Sequence, residues 1–305
     1  MKLDGVHHVS SITGDARRNV DFYTRVLGMR MVKKTVNQDD PTVYHLFYGD
    51  EQGSPGFDMT FFEYPGARPG RAGEGMVHTV AFRVPSEASL DFWAARVGAE
   101  AIAVQRGERL LRFGDPEGLT LELRVEDVSD PPLPAAYAGV PAEHAICGFA
   151  GVRAYSSHPD RSAPLLTGPL GFEDQGGGRF EACGDERGGW IAYEQPPPDR
   201  GVPGAGTVHH VAWSIPLGAE QEWQKRVAGS GARPTEVIDR FYFRSIYFRE
   251  PSGVLFELAT RGPGFTADEE LEHLGEKVAL PPFLEPHRER IEAALTPLDT
   301  PTRVP

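Results

Sequence analysis

Gly75-Met-Val-His-Thr-Val-Ala-Phe-Arg-Val-Pro85 recurs without a gap as Gly206-Thr-Val-His-His-Val-Ala-Trp-Ser-Ile-Pro216. Further along, Asp115-Pro-Glu-Gly-Leu-Thr-Leu-Glu-Leu123 is matched by Glu250-Pro-Ser-Gly-Val-Leu-Phe-Glu-Leu258. Each copy therefore opens on a strand and closes on a turn followed by a strand. Between these ends Leu90, Trp93, Ala94 and Val97 fall at i, i+3, i+4 and i+7, the stripe of a one-sided helix, and Trp223 and Val227 give a shorter version. Gly98 and Gly229 are the expected helix stops. The repeating unit reads strand, helix, then about three strands, or βαβββ.

Weaker copies widen the pattern. One starts at Gly5-Val-His-His-Val9, carries Val20, Tyr23, Val26 and Leu27 on a helix, and ends near Met59-Thr-Phe-Phe-Glu63. Another starts at Gly148-Phe-Ala-Gly-Val152 and ends near Trp190-Ile-Ala-Tyr-Glu194. Four modules result, and with them an α+β fold. Pro/Gly-rich linkers carrying an arginine, Pro65 to Gly75 and Pro196 to Gly206, sit inside each half, and the Pro-rich stretch Pro131 to Pro141 divides the halves. The reading places modules one and two in an N-terminal domain, 1–129, and modules three and four in a C-terminal domain, 144–262. A charged tail with a short helix, Glu285 to Leu295, occupies 263–305. Whether that tail covers the site or a neighbouring subunit of a homo-oligomer stays open.

A chain of 305 residues can bury two cores without disulfide staples. Cys147 and Cys183 form no C-x-x-C pair, which argues against a disulfide framework or a thiolate zinc site. The opening residues run directly into patterned sequence, so a cytoplasmic protein with no membrane partner is expected. A net charge of −13 opposes binding to nucleic acid, whose non-specific affinity comes from lysine and arginine at phosphates.

Adjacent histidines on a strand point to opposite faces, so each His-His pair offers one imidazole to a given site. His209 shares a face with Val211, Trp213 and Ile215, which reads as helix-packed core. His210 shares a face with Ala212 and Ser214, which reads as a cavity wall. By the same logic His8 lies beside Ser10, and His7 beside Val9. In module two His78 aligns with His209 while Thr79 replaces His210; module three has Ala150 and Gly151. Only modules one and four can donate a first-strand imidazole, so these two, at opposite ends of the chain, are expected to face each other.

Glu257 lies in an apolar strand, where an unpaired carboxylate costs several kcal/mol, and a metal would relieve that cost. Two imidazoles and a carboxylate on one face suit non-haem iron(II), Fe(II); zinc, manganese or nickel also accept such a set. Glu122 matches Glu257 in a module with no ligand histidine, which makes this glutamate partly a feature of the fold.

At these residues the chain resembles the vicinal oxygen chelate superfamily, which includes extradiol dioxygenases, glyoxalase I and bleomycin-resistance proteins. More closely, it resembles the ring-cleaving dioxygenases acting on hydroquinones. The resemblance spans Gly5-Val-His-His-Val9, Val43-Tyr-His-Leu-Phe-Tyr48, Gly53-Ser-Pro-Gly56, Val208-His-His-Val211, Tyr247 with Pro251 to Glu257, and Gly264-Phe-Thr266. It implies two open, cup-shaped mixed β-barrels with flanking helices. It also implies metal ligation by His8, His210 and Glu257, with His7, His209, Arg240 and Tyr247 around the site. The implied reactants are dioxygen and a small hydroquinone- or catechol-type aromatic. In that setting Tyr247 would hydrogen-bond a bound oxyanion and Arg240 would offer positive charge. His7 and His209 would be acids or bases, or structural by the apolar-face argument.

Two alternatives remain. Glu63, which ends the first module, would be a fourth ligand in a glyoxalase-like isomerase, or else a surface glutamate at a strand end. A ligand-sequestering resistance protein would need neither metal nor turnover.

Overall fold

The computed structural model describes residues 1–299. Each module supplies four strands and one helix after its first strand. Module one holds β1 (Val6–Thr13), α1 (Ala16–Asp21), β2 (Arg30–Asn37), β3 (Asp40–Gly49) and β4 (Asp58–Glu63). Module two holds β5 (Val77–Arg83), α2 (Glu87–Ala99), β6 (Val104–Arg106), β7 (Leu110–Gly114) and β8 (Thr120–Arg124). Module three holds β9 (Phe149–Tyr155), α3 (Ala163–Thr167), β10 (Glu173–Gly176), β11 (Arg179–Cys183) and β12 (Gly188–Glu194). Module four holds β13 (Val208–Ile215), α4 (Glu220–Gly229), β14 (Ile238–Asp239), β15 (Arg244–Arg249) and β16 (Leu255–Thr260). A last helix, α5 (Arg288–Ala294), lies in the tail.

Local chemistry explains the helices. Ser86 caps α2 by accepting from the Ser89 N–H, and Leu90, Trp93 and Val97 are its buried stripe. Burying each such side chain contributes roughly 1.5–3 kcal/mol. The helix runs one residue past the expected stop at Gly98, whereas α4 ends at Gly229 as its pattern predicts. In module one the helix continues beyond α1 into a π-helical turn, Phe22–Val26.

The strands form two eight-stranded sheets, ordered β14-β15-β16-β13-β1-β4-β3-β2 and β10-β11-β12-β9-β5-β8-β7-β6. Modules one and four thus share one sheet through antiparallel β1 and β13, and modules two and three share the other through β5 and β9. The halves 1–129 and 144–262 each give one module to each sheet, so the sheets pair across that division. The two Pro/Gly linkers lie against each other at Pro69 with Ala205 and at Arg71 with Val202. Gly73 and Gly201 permit the approach, because a Cβ on Gly73 would stand 2.3 Å from the Gly201 nitrogen.

The junction strands do not alternate strictly. Val6 faces Trp213 and His8 faces Ala212, so His7 is an extra residue; Ser10 faces His210 and Ser11 faces Val208, so His209 is another. The same bulges fall at His78 and Ala150 in the second sheet. The expectation that His7 and His209 occupy a regular apolar face is corrected here. Bulges break the alternation on which it rested.

The tail crosses the free edge of the first sheet. Lys34 bridges to Val278, and the Ala279 N–H donates to the Lys34 carbonyl at 2.9 Å. An edge strand exposes unpaired backbone groups that can template aggregation, and the tail covers part of this edge. Among the described residues no helix is long and apolar enough to cross a membrane, and both cysteines are free.

Candidate metal centre

β1, β13 and β16 are neighbours in the first sheet, and each turns one ligand candidate to its concave face. His8 Nε2 and His210 Nε2 are 3.2 Å apart, and Glu257 Oε2 is 3.2 Å from the first and 2.9 Å from the second. All three residues are buried, and among the described residues they are the group whose ligand atoms converge in this way. Ligands about 2.1 Å from a common ion and at right angles lie about 3.0 Å from one another, which matches these separations. Glu257 Oε1 accepts from Ser245 Oγ at 2.5 Å, while Oε2 has no hydrogen-bond partner. A buried carboxylate oxygen left without a donor and facing two imidazole nitrogens fits a divalent cation.

Protonation follows from the surroundings. Burial pushes the Glu257 carboxyl up, but the His8 and His210 imidazoles outweigh it and hold it well below the usual range. Burial lowers His210. A metal requires the ionised carboxylate and takes the place of the protons on the imidazole nitrogens that face it.

Each bulged histidine meets a ligand imidazole, and His7 sets the tautomer of His8. His7 Nδ1 lies 2.9 Å from His8 Nδ1, and His209 Nδ1 lies 2.8 Å from His210 Nδ1. His7 Nε2–H donates to the Thr260 carbonyl at 3.2 Å. His7 Nδ1 must then accept from His8 Nδ1–H, which leaves a lone pair on His8 Nε2, aimed at the centre. Burial holds His7 at a pKa of about 3, so it stays neutral in this role. His209, in contrast, is exposed.

The centre opens into a pocket whose walls include His45, Phe47, Phe62, Phe243, Tyr242 and Tyr247. Tyr247 stands opposite Glu257 in the β15·β16 pairing, with its ring 5.8 Å from that of His210. Burial, then Glu257, raises its pKa, so its O–H remains a donor. Arg240 reaches the pocket but is engaged: Asp39 accepts from both its Nη atoms at 3.0 and 2.9 Å, and its guanidinium lies 5.5 Å from the Tyr247 ring centre. His45 and Ser245 escaped the sequence reading. Alternation along Val43 to Tyr48 was the available signal for His45; none marked Ser245.

Glu63 stays outside the group. It sits on β4 one residue after Phe62, on the other face, and accepts from the Ala16 N–H at 3.4 Å near the start of α1. It is also buried, which corrects its reading as a surface residue. The second sheet explains Glu122. Register places Thr79, Gly151 and Glu122 where the first sheet has His210, His8 and Glu257. There Glu122 is bound by Arg112 at 2.6 Å, Arg124 at 2.5 Å and Arg153 at 3.4 Å. Guanidinium groups neutralise it in place of a metal. A side chain at Gly151 would meet the Trp190 carbonyl at 2.2 Å.

Paired βαβββ modules sharing a cupped sheet define a glyoxalase-like fold. The family model of the Glyoxalase/Bleomycin resistance protein/Dioxygenase superfamily matches residues 5–123. The chain is 39% identical to the "Putative ring-cleaving dioxygenase MhqA" of Bacillus subtilis (strain 168), covering 98% of this chain and 100% of that one. It is 32% identical to the chlorohydroquinone/hydroquinone 1,2-dioxygenase of Sphingobium indicum, covering 93% of each. A crystal structure described as a "putative dioxygenase" from Bacillus subtilis subsp. subtilis str. 168 superimposes with a TM-score of 0.91 at 40% identity, covering 98% of this chain and 99% of that one. The chain belongs to this superfamily, among its ring-cleaving dioxygenase homologues.

Proposed function

We propose that the protein opens a hydroquinone- or catechol-type ring with dioxygen, in the manner of an extradiol enzyme, at an iron(II) ion held by His8, His210 and Glu257. The observation that carries the reading is the orphaned Glu257 Oε2 facing two Nε2 atoms at the floor of an aromatic pocket. Iron(II) supplies the redox chemistry that lets dioxygen react with an electron-rich ring.

The chain's own groups do the rest. Phe47, Phe62 and Phe243 offer apolar surface to the ring and exclude water. The Tyr247 O–H donates to a substrate oxygen at the centre, and Arg240, steadied by Asp39, orients Tyr247 and contributes positive charge. His7 and His209 act as positioning residues, each holding the neighbouring imidazole with its Nε2 lone pair inward. Replacing His7 by Phe removes that hold. Outer partners of ligand histidines typically contribute 10–100-fold in metal affinity, so His7→Phe should weaken iron binding by about that factor in a competition titration, with an unchanged fold by circular dichroism.

The reading is tested by purifying the protein without oxygen, loading it with iron(II), zinc, manganese or nickel, and following oxygen uptake on methylhydroquinone. Uptake with iron(II) supports it. No uptake with any metal, alongside tight zinc or nickel binding, contradicts it and favours an isomerase.

A further inference from the structure

We propose that His45 is a specificity-determining residue that receives the distal hydroxyl of a para-dihydroxybenzene through its Nδ1; the proposal rests on the ring-cleaving reading above. Its imidazole is fixed in place. The ring lies between those of Phe47 and Phe62, with centroids at 4.1 and 4.2 Å. Its Nε2 is 3.0 Å from Thr60 Oγ1, which is 2.7 Å from Ser10 Oγ. His45 lines the pocket, and with Nε2 engaged by Thr60 its Nδ1 is the ring nitrogen for which no partner is seen among the described residues. A placed, oriented polar atom left open toward a pocket calls for a ligand atom.

Position says which atom. In the sheet order β16-β13-β1-β4-β3, the three ligands occupy the first three strands and His45 the fifth. His45 therefore stands across the pocket from Glu257 and Tyr247. A ring with one oxygen at the centre directs a para oxygen toward that wall. An ortho oxygen remains beside the first and leaves His45 unmatched.

The hydroxyl chain also matches the chemistry of a phenol. If Thr60 donates to Ser10, His45 Nε2–H donates to Thr60, and Nδ1 is an acceptor. If Ser10 donates to Thr60, Thr60 donates to Nε2, and Nδ1–H is a donor. A phenolic hydroxyl is both donor and acceptor, so either arrangement holds it. Burial, then the nearby His8 and His210, keeps the imidazole well below its usual pKa and neutral throughout.

The test uses the full chain loaded with iron(II) under anaerobic conditions, where no turnover occurs, and measures binding of hydroquinone and of 4-methylphenol by calorimetry. The second probe replaces the distal hydroxyl by a methyl group of similar size. In His45→Phe, hydroquinone affinity should fall about tenfold, the scale of one lost hydrogen bond, while 4-methylphenol affinity holds or rises. His45→Asn, which keeps a polar atom near Nδ1, should recover most of the loss. Equal losses for both probes would mean general damage to the pocket and would overturn the proposal, as would unchanged hydroquinone binding. Oxygen uptake by the unaltered protein separates the two readings. Without uptake on any hydroquinone both fall; with uptake but an unmoved affinity ratio, only the role of His45 falls.

Discussion

Glu257→Ala is expected to give a folded chain that no longer retains a divalent metal and whose ring-cleaving turnover falls by more than about a hundredfold, beyond the loss expected for an outer partner. The reason lies in what remains. His8 Nε2 and His210 Nε2 stay 3.2 Å apart, but two neutral imidazoles carry no charge to offset a buried cation. Stability offers a second readout. In the unaltered protein an added metal binds the native state alone and stabilises it by about 2.7 kcal/mol at a hundred times its dissociation constant. The variant should show no such rise in melting temperature. Metal analysis after gel filtration and melting curves with and without iron(II) check both outcomes. A variant that still holds one ion per chain would move the centre elsewhere.

The second large effect concerns the tail. Lys33 is fully buried, and its ammonium donates to the Phe265 carbonyl at 3.0 Å, to Asp268 Oδ1 at 2.8 Å and to Glu269. It also lies 4.7 Å from the Tyr242 ring centre. Lys33→Met would leave two carboxylates side by side with no cation. Breaking a buried ion pair from one side costs about 3–5 kcal/mol, and a loss of that size is expected in denaturant titration. Because Asp268 Oδ2 accepts from Tyr242 O–H at 2.8 Å, and Tyr242 lines the pocket, the same change should loosen the pocket wall. Limited proteolysis should find new cleavage after Gly262. Adding Asp268→Asn and Glu269→Gln removes the uncompensated charge and should recover much of the stability. A cost under about 1 kcal/mol, the scale of an exposed pair, would contradict this account.

Much of the fold could be read because modules one, two and four repeat local signals: a strand, a one-sided helix, and a Pro-Gly, Pro-Glu-Gly or Pro-Ser-Gly turn before the last strand. The pairing of modules one and four could be read as well, since only they carry His8 and His210 at matching positions. The bulges could not. They arise from cross-strand pairing, where Val6 meets Trp213 and His8 meets Ala212, and no local pattern records that an extra residue is accommodated. Consequently the strand pattern picks out the imidazoles that converge with Glu257, while it misjudges the environments of His7 and His209. Glu63 and Glu122 show the same limit, because a carboxylate in a strand is a ligand, a helix partner or an arginine partner according to what packs against it. His45 was hidden for a related reason: its partner Thr60 and its neighbours Phe47 and Phe62 come together only when β3 and β4 pair.

The most direct test of the central claim follows the atoms of dioxygen. The iron(II)-loaded protein is given a hydroquinone under isotopically labelled dioxygen, and the product is weighed by mass spectrometry. A ring-opened product carrying both labelled atoms, absent when Glu257 is replaced by alanine, is the predicted result. An intact ring, or a product with no labelled oxygen, would contradict it.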